Sequence, residues 1–372
     1  MEYLATTGYG LEGVTARELR DLGLEVGEVQ TSRVSFFGDE EAACRANLFL
    51  RTAGRVRRVA GRFPAAAFDQ LFEGVKALPW EEMIPRDGAF PVTARSVNSR
   101  LGALSACQRI VKKAMADRLT SAYRGHLAET GITVPVEVHL WKDMATLSVD
   151  LSGIPLHKRG YRELNPSAAL RETLAAGMVL ISHWSGDRSF LDPCCGSGTL
   201  AVEAAMLARD IAPGLGRRFG GEAFPWIPSS AWAAAREEAM DRVRFDLRLE
   251  ITAADIDPEV LSMAGHHARK AGVSGDIRFM IRDLRDTPPE GRYGHIITNP
   301  PYGERLGERR EAEALITALG RLRRSDPTRS IHVISPSLRF ESLFGGKANH
   351  KRVLYNGPIA CRFFQYFGEK PR

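Results

Sequence analysis

At 372 residues, with 44% hydrophobic and 26% charged side chains and a net charge of +6, the chain has an ordinary globular balance, a moderate basic bias and room for two or three domains. No stretch reaches the roughly 18 uninterrupted apolar residues of a membrane helix, and the start, MEYLATTGYG, lacks the basic-then-apolar order of a signal peptide. Five cysteines (Cys44, Cys107, Cys194, Cys195 and Cys361) form an odd, scattered set, which argues against a disulfide framework and fits a reducing, cytoplasmic setting.

Residues 1–55 read as strand, helix, strand, helix. In LEGVTARELRDLG, Leu11, Val14, Leu19 and Leu22 share a helix face that Gly23 ends, and EVQTSRVSFFG reads as a β segment closed by Gly38. Arg51, Arg55, Arg57, Arg58 and Arg62 follow with no acid between them. Residues 56–155 hold a strand in AFPVTARSV, a helix in LSACQRIVKKAMADRLTSAY and a hairpin in VPVEVHLWKDMATLSVDLSG. In that hairpin Val136, Val138 and Leu140 face one way, and Ala145, Leu147 and Val149 resume after a Lys-Asp turn. From Arg86 to Arg124 there are eight Lys or Arg against Asp87 and Asp117 alone. Such clusters suit a phosphate backbone or, equally, a solvated helix face.

After Ser152-Gly153 the texture changes. IPLHKRGYRELNPS reads as a connector, and from about residue 167 helices alternate with short apolar strands. The helices are ALRETLAAGMVLISHW, TLAVEAAMLA and PEVLSMAGHHARKAG; the strands are FLDP, LEITAADID, IRFMIRDL, GHIITNPP and SIHVISPS. This alternation predicts an α/β fold with a parallel sheet wound on both faces. KRVLYNGPIACRFFQYFG, with Asn356-Gly357 between two β-rich runs, predicts an antiparallel C-terminal hairpin, which is unusual for dinucleotide-binding folds.

DPCCGSG follows a strand and opens a helix, so its glycines let backbone approach a ligand beside unpaired helix N–H groups. It matches neither G-x-G-x-x-G nor the phosphate loop with its lysine. Asp192 would repel phosphates and attract an ammonium or a hydroxyl, which favours a nucleoside carrying an amino acid over a nucleoside polyphosphate. A tight structural turn would look the same. Asp255, Asp283 and Asn299 end the next three strands, where a parallel sheet opens its crevice, and Asp255 is placed to accept from ribose hydroxyls. Asp257 before Pro258 reads as a helix cap. NPPYG is the most specific motif. Pro300 and Pro301 fix the backbone and leave carbonyl oxygens free to accept, Asn299 adds an amide oxygen, and Tyr302 adds a flat face. The set is a clamp for an exocyclic amino group on a planar ring.

On these residues the chain resembles the class I S-adenosylmethionine-dependent methyltransferases that act on exocyclic amino groups of nucleobases. VDLSGIPLHKRGYR, LRETLAAG, DPCCGSGTLAVEAAMLARDIAPGL, TNPPYGERLGE and LYNGPIACRFFQYFG are similar to the bacterial THUMP-containing 23S rRNA guanine-N2 methyltransferase family, over nearly the whole chain. A local departure lies near Ala169 and Arg171, where that family commonly has proline and lysine. The resemblance implies a ferredoxin-like segment at 1–55, a THUMP RNA-binding domain at 56–155 and a Rossmann-like methyltransferase domain at 156–372. It implies S-adenosylmethionine held by Asp192, Cys195, Gly196, Ser197, Gly198, Asp255, Asp283 and Leu284, with Asn299, Pro300, Pro301 and Tyr302 as the catalytic clamp. The expected reaction is direct methyl transfer to the N2 amino group of an unpaired or flipped guanine in 23S rRNA. Arg95, Arg100, Lys112 and Lys113 are the candidate RNA contacts. Rival readings are a tRNA guanine-N2 methyltransferase, an adenine-N6 methyltransferase and a non-catalytic RNA-binding adapter. Cys194, Cys195, His266 and His267 are adjacent pairs that lack metal-ligand spacing, so no metal is expected. The two cysteines read as cradle, with Cys195 the nearer to the cofactor.

Overall fold

The structure, a computed structural model, describes residues 1–162, 170–288, 293–303 and 306–369. The end of the expected connector, the departure near Ala169, part of the TNPPYGERLGE stretch and the last three residues lie outside the described residues. Two seven-stranded sheets carry the chain.

The first sheet is made by β1 (Glu2–Thr7), α1 (Glu12–Asp21), β2 (Glu25–Gln30), β3 (Arg33–Phe37), α2 (Glu40–Phe49), β4 (Ala53–Pro64), α3 (Phe68–Lys76), β5 (Val92–Val97), α4 (Leu104–Tyr123), β6 (Val136–Trp141) and β7 (Met144–Asp150). Its strand order is β2-β3-β1-β4-β7-β6-β5. The single β segment expected in EVQTSRVSFFG is a hairpin instead, because Ser32 turns the chain at φ 61° and Gln30 pairs with Arg33. In the β6–β7 hairpin, Lys142 and Asp143 both have positive φ (50° and 58°), the turn geometry that matches strand twist, and the alternate residues Val136, Val138, Leu140, Ala145, Leu147 and Val149 are buried.

β4 is the part the sequence reading misses. It pairs with β1 on one side (Leu4 opposite Arg57) and with β7 on the other (Arg57 opposite Asp150), so it runs across residues 55/56 and joins both N-terminal segments into one sheet. The arginine run lies along it and meets partners within the molecule. Arg55 pairs with Asp150, Arg62 with Glu2, Arg57 Nη2 lies 3.3 Å from Glu137, Arg58 sits 4.5 Å over the Trp226 ring, and buried Arg51 is 3.5 Å from Asp210. The run therefore finds partners within the fold.

After β7 the chain forms α5 (Glu172–Ser182), β8 (Phe190–Asp192), α6 (Thr199–Ala208), α7 (Ser229–Asp241), β9 (Ile251–Asp255), α8 (Pro258–Lys270), β10 (Ile277–Ile281), β11 (His295–Thr298), α9 (Leu306–Ser325), β12 (Ser330–Ser335), α10 (Phe340–Phe344), β13 (His350–Asn356) and β14 (Ile359–Tyr366). Of these, α7 returns to the first sheet, where Trp232, Ala235 and Ala239 join the core, while the strands make the second sheet. The order is β10-β9-β8-β11-β12-β14-β13. Strands β8 to β12 are parallel, and β14 runs antiparallel between β12 and β13, so the expected α/β fold with a C-terminal hairpin is what forms. One core packs α5, α6 and α8 on one face; a second packs α9 and α10 on the other.

The two sheets are tied by a buried network. Arg159 Nη1 donates to Leu156 O at 2.6 Å, its Nη2 donates to Arg51 O, and its Nε faces Glu203 Oε1 of α6 at 3.5 Å. Tyr161 Oη donates to the same Glu203 oxygen at 2.9 Å. Among the described residues no helix is long and apolar enough to cross a membrane.

Candidate active site

Chain order reverses at β8. β9 and β10 lie to one side of it and β11 to the other, which opens a crevice beyond the carboxyl ends of these strands. A cavity of about 900 Å³ occupies the crevice, and Asp192, Asp255, Asp283, Asn299, Pro301 and Tyr302 all line it.

Asp192 ends β8 and is 1% exposed. Its Oδ1 accepts from Thr298 Oγ1 at 2.7 Å and from Cys194 N at 3.3 Å. Burial pushes its carboxyl up to about 7, although the two hydrogen bonds pull the other way. The glycine turn follows. Gly196, at φ 50°, donates its N–H to Asp255 Oδ2 at 2.9 Å, and Cys195 N donates to Ala254 O at 2.9 Å, so the end of β9 braces the turn. The other Asp255 oxygen accepts from Asp257 N at 3.2 Å.

Gly198 stands apart from the other expected cofactor residues, because it does not line the cavity. It caps α6 at φ 79°, and a Cβ there would lie 2.8 Å from the Ala264 Cβ of α8. It acts on the site through the packing of α6 against α8. His267, buried on α8, supports the same turn with Nδ1 3.0 Å from Ser197 O. Its role is invisible in the sequence, because nothing local marks a histidine on α8 as facing a turn 70 residues earlier.

Cys194 and Cys195 both line the cavity and pack into different cores, Cys195 beside α6 and Cys194 towards α9. Burial, reinforced by Asp192 and Asp255, pushes both thiols far above the ordinary range, so neither is a thiolate. Among the described residues, no three His, Cys, Asp or Glu side chains are gathered to hold a metal ion.

Asp283 ends the segment after β10. Its Oδ1 accepts from Arg285 N at 2.8 Å, and the Arg285 guanidinium beside it holds the carboxyl below its usual range. Leu284 is 2% exposed and closes the floor. Past β11, Asn299 Oδ1 accepts from Tyr302 Oη at 2.7 Å. That phenol in turn accepts from Asn356 Nδ2 at 3.2 Å and from Cys361 Sγ at 3.6 Å. The clamp is thus fixed to the β13–β14 hairpin, and the second lone pair of Asn299 Oδ1 is left for another donor. The turn Asn356–Ile359 and Arg171 also wall the cavity. Asn356-Gly357 signals a turn in the sequence, but nothing local shows that the turn folds over β11.

The expected RNA contacts divide. Arg95, on edge strand β5, and Arg100, in the loop after it, keep side-chain exposures of 72% and 78% beside Glu137 and Asp143. Lys112 is engaged internally, paired with Glu129 and donating to Phe90 O at 3.2 Å. Lys113 lies 5.9 Å from the Phe72 ring.

Residues 159–365 match the family model described as RMKL-like, methyltransferase domain, which covers more than half of the chain. The chain belongs to that methyltransferase family. Residues 2–57 of this methyltransferase match the RlmL ferredoxin-like domain and residues 65–150 the THUMP domain. It is 42% identical to YpsC of Bacillus subtilis (strain 168), provisionally named an RNA methyltransferase, over 98% of this chain and 96% of that one. It is 36% identical to the ribosomal RNA large subunit methyltransferase K/L of Syntrophotalea carbinolica (strain DSM 2380 / NBRC 103641 / GraBd1), over 98% of this chain and 53% of that one, so it spans about half of that relative. Among solved structures, it superposes with TM-score 0.94 and 42% identity on a protein from Listeria monocytogenes str. 4b F2365, described as a predicted N6-adenine-specific DNA methylase (99% of this chain, 96% of that). It also superposes on SMU.472, solved in complex with SAH, with TM-score 0.93 and 37% identity over 100% and 99% of the two chains.

Proposed function

We propose that this methyltransferase transfers a methyl group from S-adenosylmethionine to the exocyclic N2 amino group of an unpaired guanine in 23S rRNA. The observation that carries the reading is the shared cavity. The acids that end β8 and β9, the acid two residues beyond β10 and the Asn299–Tyr302 clamp after β11 open into one space.

The residues present fit this cofactor. The cavity has a buried carboxylate at Asp192 for an ammonium, a second acid at Asp255 in ribose position and a turn of positive-φ glycines between them. Bound there, the cofactor supplies an electrophilic methyl on a sulfonium that is its own leaving group. The chain supplies alignment. Tyr302, locked by Asn299 and Asn356, offers its ring as a wall for the base. Asn299 Oδ1 and the Pro300 carbonyl accept from the amino group and stabilise positive charge as it develops on nitrogen. Asp192 and Asp255 hold the donor side.

The choice of RNA rests on the THUMP match and on relatives named as RNA and ribosomal RNA methyltransferases. The choice of guanine N2 rests on the resemblance of NPPY and its flanking motifs. Labelled S-adenosylmethionine, offered with total RNA and followed by nucleoside digestion, should yield N2-methylguanosine in 23S rRNA. N6-methyladenosine would overturn the base assignment, label in tRNA the target, and RNA binding without label the enzymatic reading. Asn299→Ala should lower transfer by about 100-fold or more while cofactor affinity is kept; full activity in that variant would refute the clamp.

A further inference from the structure

The N-terminal segment packs against β13, the strand whose last residue, Asn356, lines the cavity. The loop between β1 and α1 carries Tyr9-Gly10, and Gly10, at φ 85°, lies so near β13 that a Cβ there would sit 2.2 Å from Val353 O. Arg352 Nη1 donates to Gly10 O at 3.2 Å. Glu12 fastens the loop from the other side, accepting from Gly10 N and from Ser32 N at 2.9 Å each. Beneath it, Leu11 is buried in the same core as Leu354 and Leu174.

This close seating sets Tyr9 against Tyr355 edge to face, with ring centroids 5.5 Å apart and planes at 85°. Both rings nevertheless stay open to solvent, at 48% and 45% exposure. Tyr355 immediately precedes Asn356, which lines the cavity and donates to Tyr302. The exposed pair therefore lies one residue along β13 from the cavity wall, and the Arg352 guanidinium is held on the Gly10 carbonyl, next to Tyr9 in the chain.

We propose that Tyr9 and Tyr355, with Arg352, form a stacking platform for the unpaired RNA nucleotide next to the target base. The proposal rests on the RNA-methylation reading above. An extruded base drags its neighbours out of register, and they need a place to rest. Aromatic faces hold any base without reading its sequence, and a guanidinium alongside suits the connecting phosphate. The two rings come from opposite ends of the chain, so the platform exists only when the N-terminal segment is seated on the hairpin. This gives that segment a direct part in substrate capture.

The test uses the full chain and single-stranded oligoribonucleotides carrying 2-aminopurine beside the target guanine. Tyr9→Ala and Tyr355→Ala should each raise the KM and the Kd for RNA by about ten-fold or more. The kcat, the affinity for S-adenosylhomocysteine and the melting temperature should stay at wild-type values. Tyr9→Phe and Tyr355→Phe should restore RNA affinity, and Leu at either position should not. Unchanged RNA affinity in the alanine variants, or rescue by Leu as good as by Phe, would overturn the platform. The fluorescence titration reads the platform even if wild-type protein methylates no RNA, so the two readings fail separately.

Discussion

Asp192 shows how one side chain can be bent to a task by its surroundings. A carboxyl that is 1% exposed and flanked by Thr298 and the Cys194 amide is held up to about 7. In the unfolded chain it ionises near its ordinary value of 3.8. Its contribution to stability is therefore complete below about pH 4 and is lost as pH rises towards 7, because the unfolded chain releases the proton first. Chemical denaturation of the cofactor-free protein across this range should show Asp192→Asn gaining stability over wild type with rising pH, by roughly 4 kcal/mol in total. Parallel pH profiles would contradict the burial argument. A cationic ammonium beside Asp192 favours the ionised form, so affinity for S-adenosylhomocysteine should rise with pH up to about 7 in wild type and stay flat in the variant. Cys194 and Cys195 show the opposite case. The burial and negative charge that raise their thiols leave them as small, neutral filling around the turn.

At the level of single elements, how much could be read from the sequence depends on how local the signal is. The helices α4 and α6 coincide with LSACQRIVKKAMADRLTSAY and TLAVEAAMLA, because an apolar stripe bounded by turn residues needs no outside partner to be recognised. The strand ends that carry Asp192, Asp255 and Asn299 were legible for the same reason, as short apolar runs meeting a polar residue. β4 was not. Its arginines face partners far along the chain, Asp150 and Glu137, and without those partners a strand of arginines looks like a cationic surface. The helices α3, α7, α9 and α10 are likewise not among the elements expected from the sequence, although Leu315, Ile316, Leu319 and Leu322 carry a plain helical period in α9. Gly198 makes an element-scale prediction. Its positive φ and its 2.8 Å approach to Ala264 mean that Gly198→Val must move α6 away from α8. The variant should lose about 1–3 kcal/mol of stability and bind S-adenosylhomocysteine more weakly. An unaltered melting temperature with unaltered affinity would show that the packing tolerates the change.

Across the whole molecule, the buried Arg159–Glu203 contact joins the first sheet to the helix that begins at the glycine turn. Arg159 is 5% and Glu203 0% exposed, and Arg159 also holds the Arg51 carbonyl at the start of β4. Glu203→Ala leaves that cation buried without its partner and should destabilise the chain by about 3–5 kcal/mol, while Arg159→Met combined with Glu203→Leu should recover much of the loss. Denaturant midpoints of the two variants and the wild type decide it, and an undisturbed midpoint in Glu203→Ala would show that the contact carries no weight.

The continuity of β4 also governs how this molecule can be cut. A fragment beginning after residue 55 would lose the start of β4 and expose the edge that faces β1. Such a bare, long edge recruits other chains edge to edge. The natural unit of exchange is therefore the entire seven-stranded sheet together with α7, whose Trp232, Ala235 and Ala239 share its core, and grafting a different N-terminal half onto the second sheet calls for junctions on both sides of that returning helix as well as one after β7, in the Ser152-Gly153 stretch.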